Sequence, residues 1–191
     1  GLGFAHSSFG IGPEMSVNVP LATYPYAAMG IYTNIQLQKN LHLSAAVYDG
    51  RPNTEIGYLK SYDFSLNSKR GLFWIGEIDY QITKEKRQQS TYKMGIWSLQ
   101  GNSQRESGFY AILDQTLLAE NEDPTQGLHA FAQYGRIPNN ASVFSNYKGL
   151  GMVYYGAFKK RAQDQLGLAW GQGNLSDTYR NDLLRSSDRS E

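Results

Sequence analysis

Apolar and polar side chains trade places at every second position along most of this chain, and few backbones satisfy such a pattern. A period of two is the repeat of an extended strand, whose successive side chains point to opposite faces. Met29, Ile31, Ile35 and Leu37 alternate with Tyr32, Asn34, Gln36 and Gln38. Beyond Lys39-Asn40, Leu41, Leu43, Ala45 and Val47 alternate with His42, Ser44 and Tyr48, so the two runs read as a hairpin closed by a tight turn. No long segment carries apolar residues at i, i+3, i+4 and i+7 behind a cap, which leaves little room for helix. A run of about 18 apolar residues, as a membrane-spanning helix needs, is absent too. A membrane barrel stays open, because its strands are short (about 9–11 residues) and alternate.

Six more strands follow by the same reading. Leu72, Trp74, Ile78 and Tyr80 oppose Glu77, Asp79 and Gln81; Tyr92, Met94 and Ile96 oppose Lys93, Gly95 and Trp97. The fifth strand, near 108–118, is placed with Tyr110 and Asp114 inward, since the other parity points a carboxylate at the apolar side. Leu128, Ala130, Ala132 and Tyr134 oppose His129, Phe131 and Gln133; Leu150, Met152 and Tyr154 oppose Gly151, Val153 and Tyr155. In the eighth, Leu166, Leu168 and Trp170 oppose Gly167, Ala169 and Gly171. The chain therefore reads as one all-β domain over 1–191. Residues 1–26, with Pro13, Pro20 and Pro25, form a long loop; 27–171 carry the strands; 172–191 are a loop or tail. With Gly1 in place of an initiator Met and a polar end at Glu191, the chain is expected to be part of a longer one.

The connections alternate in character. Lys39-Asn40, Lys84-Glu85-Lys86-Arg87, Glu120-Asn121-Glu122-Asp123-Pro124 and Lys159-Lys160-Arg161 are charged. The intervening ones, near 49–70, 100–107, 137–148 and from 172 on, are rich in Asn, Ser, Gly and Pro. An up-and-down sheet sends alternate connections to opposite ends, so its two ends meet different surroundings, as in a membrane barrel with short turns on one side and longer loops on the other. Tyr80, Tyr92 and Trp170 on the apolar face suit an interfacial girdle.

Composition narrows the chemistry. Lys plus Arg is 18 against 17 for Asp plus Glu, a net charge of +1, which argues against nucleic acid or an anionic membrane surface as the main partner, since both need a basic excess. No Cys is present, so thiolate nucleophiles and Cys-ligated metals are excluded. His6, His42 and His129 fall in no metal-ligand spacing. Glu77 and Asp79 share one strand face, whereas glycoside hydrolysis needs carboxylates flanking a bond. No catalytic residue, cofactor or metal is expected. What remains on the polar faces is a strip of rings and hydrogen-bonding groups: Tyr32, Asn34, Gln36, Tyr48, Glu77, Asp79, Lys93, Trp97, Asp114 and Gln133. On parity alone they are pore-lining candidates, or the solvent face of a soluble β-sheet module.

Several segments resemble a known family in order. Ser7-Ser8-Phe9-Gly10-Ile11-Gly12-Pro13-Glu14 precedes Asn18-Val19-Pro20 and Tyr24-Pro25-Tyr26-Ala27-Ala28-Met29-Gly30. Ala46-Val47-Tyr48-Asp49-Gly50, Gly71-Leu72-Phe73-Trp74-Ile75-Gly76-Glu77 and Thr91-Tyr92-Lys93-Met94-Gly95-Ile96-Trp97 follow. Then come Ala111-Ile112-Leu113-Asp114-Gln115, Gly127-Leu128-His129-Ala130-Phe131-Ala132 and Leu166-Gly167-Leu168-Ala169-Trp170. This resembles the carbohydrate-selective porins of the bacterial outer membrane (OprB type), over nearly all of residues 3–180. The resemblance implies a transmembrane antiparallel up-and-down β-barrel of about 16 strands, eight of them here. It implies passive diffusion of sugars such as glucose, with mono- or oligosaccharide solutes and membrane lipid as partners, and leaves room for a homo-oligomer. A soluble lectin-like carbohydrate-binding module is the alternative, and a β-rich glycosidase using Glu77 or Asp79 a further one.

Overall fold

Nine residues with clean alternation, a two-residue turn and nine more make the first hairpin: β1 (Gly30–Gln38) and β2 (Leu41–Asp49), joined at Lys39-Asn40. The structure, a computed structural model, describes residues 9–19, 28–50, 71–84, 88–101, 105–120, 126–138, 142–158, 161 and 163–187. The hairpin is followed by β3 (Leu72–Lys84), β4 (Gln88–Gln100), β5 (Arg105–Ala119), β6 (Gly127–Arg136), β7 (Phe144–Tyr155) and β8 (Gln165–Leu175). Each strand pairs antiparallel with the next, giving one eight-stranded sheet in the order of the chain. Of the connections the sequence singled out, most of 49–70, residues 85–87, 121–124 and 159–160 lie outside the described residues.

The register settles which side chains share a face. Ser44 stands opposite Glu77, Asp79 opposite Lys93, Thr91 opposite Asp114, Ile112 opposite Gln133, and Gln133 opposite Gly149. Bulges occur between Gln36 and Gln38, between Thr116 and Leu118, and between Phe144 and Asn146. All three sit near strand ends. A bulge inverts parity only beyond itself, so the strand centres keep the faces that alternation assigns.

The apolar face is open. Ile31, Ile35, Leu43, Ile78, Met94, Ile96, Leu150, Met152, Leu166 and Leu168 stand exposed along it, as do Tyr80, Tyr92 and Trp170. Met94 is 65% exposed and Leu168 77%. Contiguous exposure on this scale is uncommon on a water-soluble surface. The buried core lies on the other face, at the end of the longer connections, where Met15 and Val19 pack on Phe73, Trp97, Leu99 and Ile137.

Two elements differ from the expected layout. Within the 1–26 loop a single helical turn, α1 (Pro13–Ser16), forms with Pro at its start and lies on the polar face of β6 and β7. Its hold is specific: Asn18 Oδ1 accepts the Val143 and Phe144 backbone N–H groups at 2.8 and 3.2 Å, while Nδ2 donates to Phe144 O at 2.7 Å. Past β8, the segment read as a loop or tail holds a helix, α2 (Asp177–Ser187). Ser176 caps it, its Oγ accepting from Tyr179 N at 3.2 Å, and Asp177 in the first turn pairs with Arg180. Local capping chemistry starts this helix, whose few apolar residues, Tyr179, Leu183 and Leu184, all stand exposed and give too short a pattern to mark it in the sequence.

The open face yields a test. In the whole protein reconstituted in vesicles, Met94→Arg is expected to cost about 2–4 kcal/mol by urea unfolding, the penalty for a cation at mid-bilayer. A loss below about 0.5 kcal/mol, typical of a solvated surface position, would contradict a lipid-facing Met94.

Candidate pore-lining face

The polar face is organised around one lysine. Lys93 Nζ lies 3.0 Å from Glu77 Oε1 and 3.5 Å from Asp79 Oδ2, its side chain about one-third exposed. Glu77 and Asp79 are two apart on β3, so both point to this face, and Lys93 stands directly opposite Asp79 on β4. The second oxygen of Glu77 accepts the Tyr110 hydroxyl at 2.7 Å, although Tyr110 is two strands away on β5.

A glycine makes that reach possible. Gly95 lies between the two residues, paired with Glu77 on one side and Tyr110 on the other. It has no side chain, and the Tyr110 ring lies over it where any Cβ would overlap. Trp97 covers Gly108 on β5 and Phe131 covers Gly151 on β7 in the same way. Rings laid flat over glycines keep the wall thin while burying aromatic area.

The N-terminal segment narrows this face. Gln133 Nε2 donates to Phe9 O at 2.8 Å, and the Phe9 ring meets Phe131 edge-on at 5.5 Å between centroids. Between the segment and the sheet runs a cleft of about 350 Å³ that includes Tyr48, Glu77, Tyr110, Gln133 and Tyr147 in its lining. Glu14 projects into it from α1 at only 3% exposure. Its carboxylate presses on Gly135, its Oε2 has no hydrogen-bond partner in the protein, and burial holds its pKa above the ordinary value.

All ten residues singled out from the sequence lie on this face, in distinct places. Tyr32 and Asn34 stand exposed at the β1 edge, reaching Ser44 Oγ at 3.4 and 2.7 Å. Gln36 Nε2 donates to Lys39 O at 3.3 Å, near the short turn. Tyr48 covers Gly30 and borders the cleft. Glu77, Asp79 and Lys93 form the central cluster. Asp114 stands opposite Thr91 and Phe131, diagonal to Lys93. Gln133 is tied to the N-terminal segment. Trp97 requires a correction as a lining residue: at 1% exposure beneath Met15 and Val19, it supports the wall and is closed off from any passage. Glu14 carried no signal in the sequence, because a loop has no periodicity and its burial depends on a long-range contact.

A single meander sheet with an open apolar face, and behind it a polar face narrowed by a folded-in segment, is a section of a membrane-spanning β-barrel wall. Comparison with known proteins says which kind. The chain belongs to the carbohydrate-selective porin, OprB family, whose profile matches residues 2–105 and 97–189. A stretch of 70 residues, 37% of the chain, is 31% identical to Porin B of Pseudomonas aeruginosa and covers 15% of that protein. The fold matches the high-pH structure of Pseudomonas putida OprB with a TM-score of 0.74 at 16% identity, over 88% of this chain and 46% of that one. The chain thus spans under half the length of these relatives.

Two substitutions test the geometry. Gly95→Ala is expected to push Tyr110 off Glu77 and cost about 1–3 kcal/mol by overpacking, more than Tyr110→Phe, which keeps the ring and loses only the hydroxyl; urea unfolding of the whole protein ranks them. For Glu14 the raised pKa sets the sign: docking of α1 is strongest below the ordinary carboxylate pKa and weakens as pH rises through the raised value. Between about pH 4 and pH 8, the hydrogen-exchange protection factors at 15–19, corrected for the intrinsic rate, should fall in the wild type and stay level in Glu14→Gln.

Proposed function

We propose that the whole protein is a porin through which carbohydrates diffuse passively, and that this chain supplies about half the wall of a barrel of roughly 16 strands. The family is one of bacterial outer-membrane porins. The observation that carries the reading is the contrast between the two faces. An exposed apolar belt speaks for lipid and against a soluble carbohydrate-binding module, whose apolar face packs into a core. Behind it stands a face of amides, hydroxyls, rings and one compact ion cluster.

That face suits a neutral solute. A sugar carries no charge for a one-signed field to select, so discrimination falls to hydrogen bonds with hydroxyls and apolar contact with its C–H faces. Tyr32, Asn34, Gln36 and Tyr48, with Gln133 beneath the N-terminal segment, offer such groups. Lys93 stands at contact distance from both Glu77 and Asp79 and offsets one of their two negative charges, which weakens the field of the cluster. Each contact must stay weak enough for the solute to leave. We read Glu77 and Asp79 as parts of the lining and the protein as a channel that makes and breaks no bond: both carboxylates serve one lysine, and neither flanks a gap where a glycosidic bond would sit.

Swelling of liposomes loaded with the whole protein tests this. Glucose is expected to enter markedly faster than amino acids or salts of similar size. Equal rates would reject carbohydrate selectivity, and an absence of swelling would reject the channel.

A further inference from the structure

The apolar face ends in a small polar block with one sign of charge. Arg136 closes β6 and stands opposite Phe109 on one side and Asn146 on the other. Lys148 stands opposite Tyr134, two residues from Arg136 on the same face. The two cations are therefore diagonal neighbours, with Cα atoms roughly 7–8 Å apart by antiparallel geometry. Both are exposed, and neither has an ion-pair partner among the described residues. The rings of Phe109 and Tyr134, on the same two rungs as the cations, meet at 6.0 Å between centroids. Beside them Gln172 donates to Asn174 Oδ1 at 2.9 Å, and Asn174 donates to Asn146 Oδ1 at 2.8 Å. The block thus sets two cations, without an ion-pair partner among the described residues, and a row of amides level with two aromatic rings.

Its depth gives it meaning. Arg136 and Lys148 flank the 137–143 connection, at the end shared with the longer 50–71 connection and therefore, by barrel convention, the extracellular end. Aromatic rings mark the boundary between hydrocarbon and headgroups, and long Arg and Lys side chains level with them carry their charge up to the headgroups. Leaving two cations there without carboxylates costs stability through their mutual repulsion unless an anion from outside the chain neutralises them. We propose that Arg136 and Lys148 bind the phosphate of an anionic glycolipid in the outer leaflet, with the Asn146, Gln172 and Asn174 amides available to its sugar hydroxyls. The inference rests on the lipid-facing, outer-membrane reading of this face, and it concerns lipid on the outside of the wall, away from any solute within.

The test uses the whole protein in detergent, titrated with fluorescent lipid A and with the same lipid stripped of its phosphates. Arg136→Gln/Lys148→Gln is expected to bind phosphorylated lipid A roughly thirtyfold more weakly, since each basic residue near an anionic surface contributes about fivefold. Arg136→Lys/Lys148→Arg should keep most of the affinity, which separates charge from fold. Wild type should bind the dephosphorylated lipid about as weakly as the double Gln variant binds the phosphorylated one. Equal affinity across the two lipids, or across wild type and the Gln variant, overturns the proposal. So does a change in oligomer mass with lipid affinity unaltered, which would give the face to a second copy of the chain. Liposome swelling is read separately: the Gln variant should swell as fast as wild type, and a wild type that fails to swell counts against the porin reading without touching the lipid result.

Discussion

A strand in hydrocarbon has no water to turn to, so every backbone N–H and C=O must be handed to a neighbouring strand. This ladder governs the rest of the structure. It forces consecutive strands to pair in register, and register forces one parity across the whole sheet. Parity then divides the sequence into two populations with different solvents. The distribution follows: Ile31, Met94 and Leu168 are exposed, while Phe73, Trp97 and Leu99 are buried, although all six are apolar. In a water-soluble sheet the exposed set would be the core. Here the main buried cluster among the described residues forms where Met15 and Val19 cover the opposite face.

That covering segment depends on the wall beneath it. Gly108 lets Trp97 lie flat, and on the floor so made Met15 and Val19 can settle. Gly135 gives the Glu14 carboxylate a place that any side chain would occupy. Asn18 then fixes the segment by giving both its oxygen and its nitrogen to the backbone at the start of β7. Small residues in the wall are thus what brings a loop inside and sets how much of the polar face stays open. Width here is a property of glycine positions as much as of strand number.

The strands and their faces were legible because alternation is a local signal repeated eight times, and because the three bulges fall where they invert few side chains. The candidate site was legible to the same depth and no further. Parity put Tyr32, Asn34, Glu77, Lys93 and Asp114 on one face, but it contains nothing about what lies over that face. So Trp97, equal to Lys93 in the pattern, turned out sealed under Met15, and Glu14, with no pattern at all, turned out to enter the cleft. Both depend on a contact between residues more than 80 positions apart, whose energy is not written in any window of sequence. Helix α2 escaped for a different reason. It is made by Ser176 and Asp177 at its start, and the periodicity that usually reveals a helix reports burial, of which α2 has none.

The two faces also explain a composition that first read as unremarkable. A chain with 18% charged residues and a net charge of +1 has few charges to place, and the wall gives them distinct duties. Glu77, Asp79 and Lys93 are gathered on the polar face, one cation at contact distance from two carboxylates, which holds their net charge to one unit. Arg136 and Lys148 have no ion-pair partner among the described residues and stand on the opposite face, near the strand ends, where long cationic side chains reach the headgroup level. The middle of the apolar face, between the rim and the short turns, carries none, since there an ion would have neither water nor a partner.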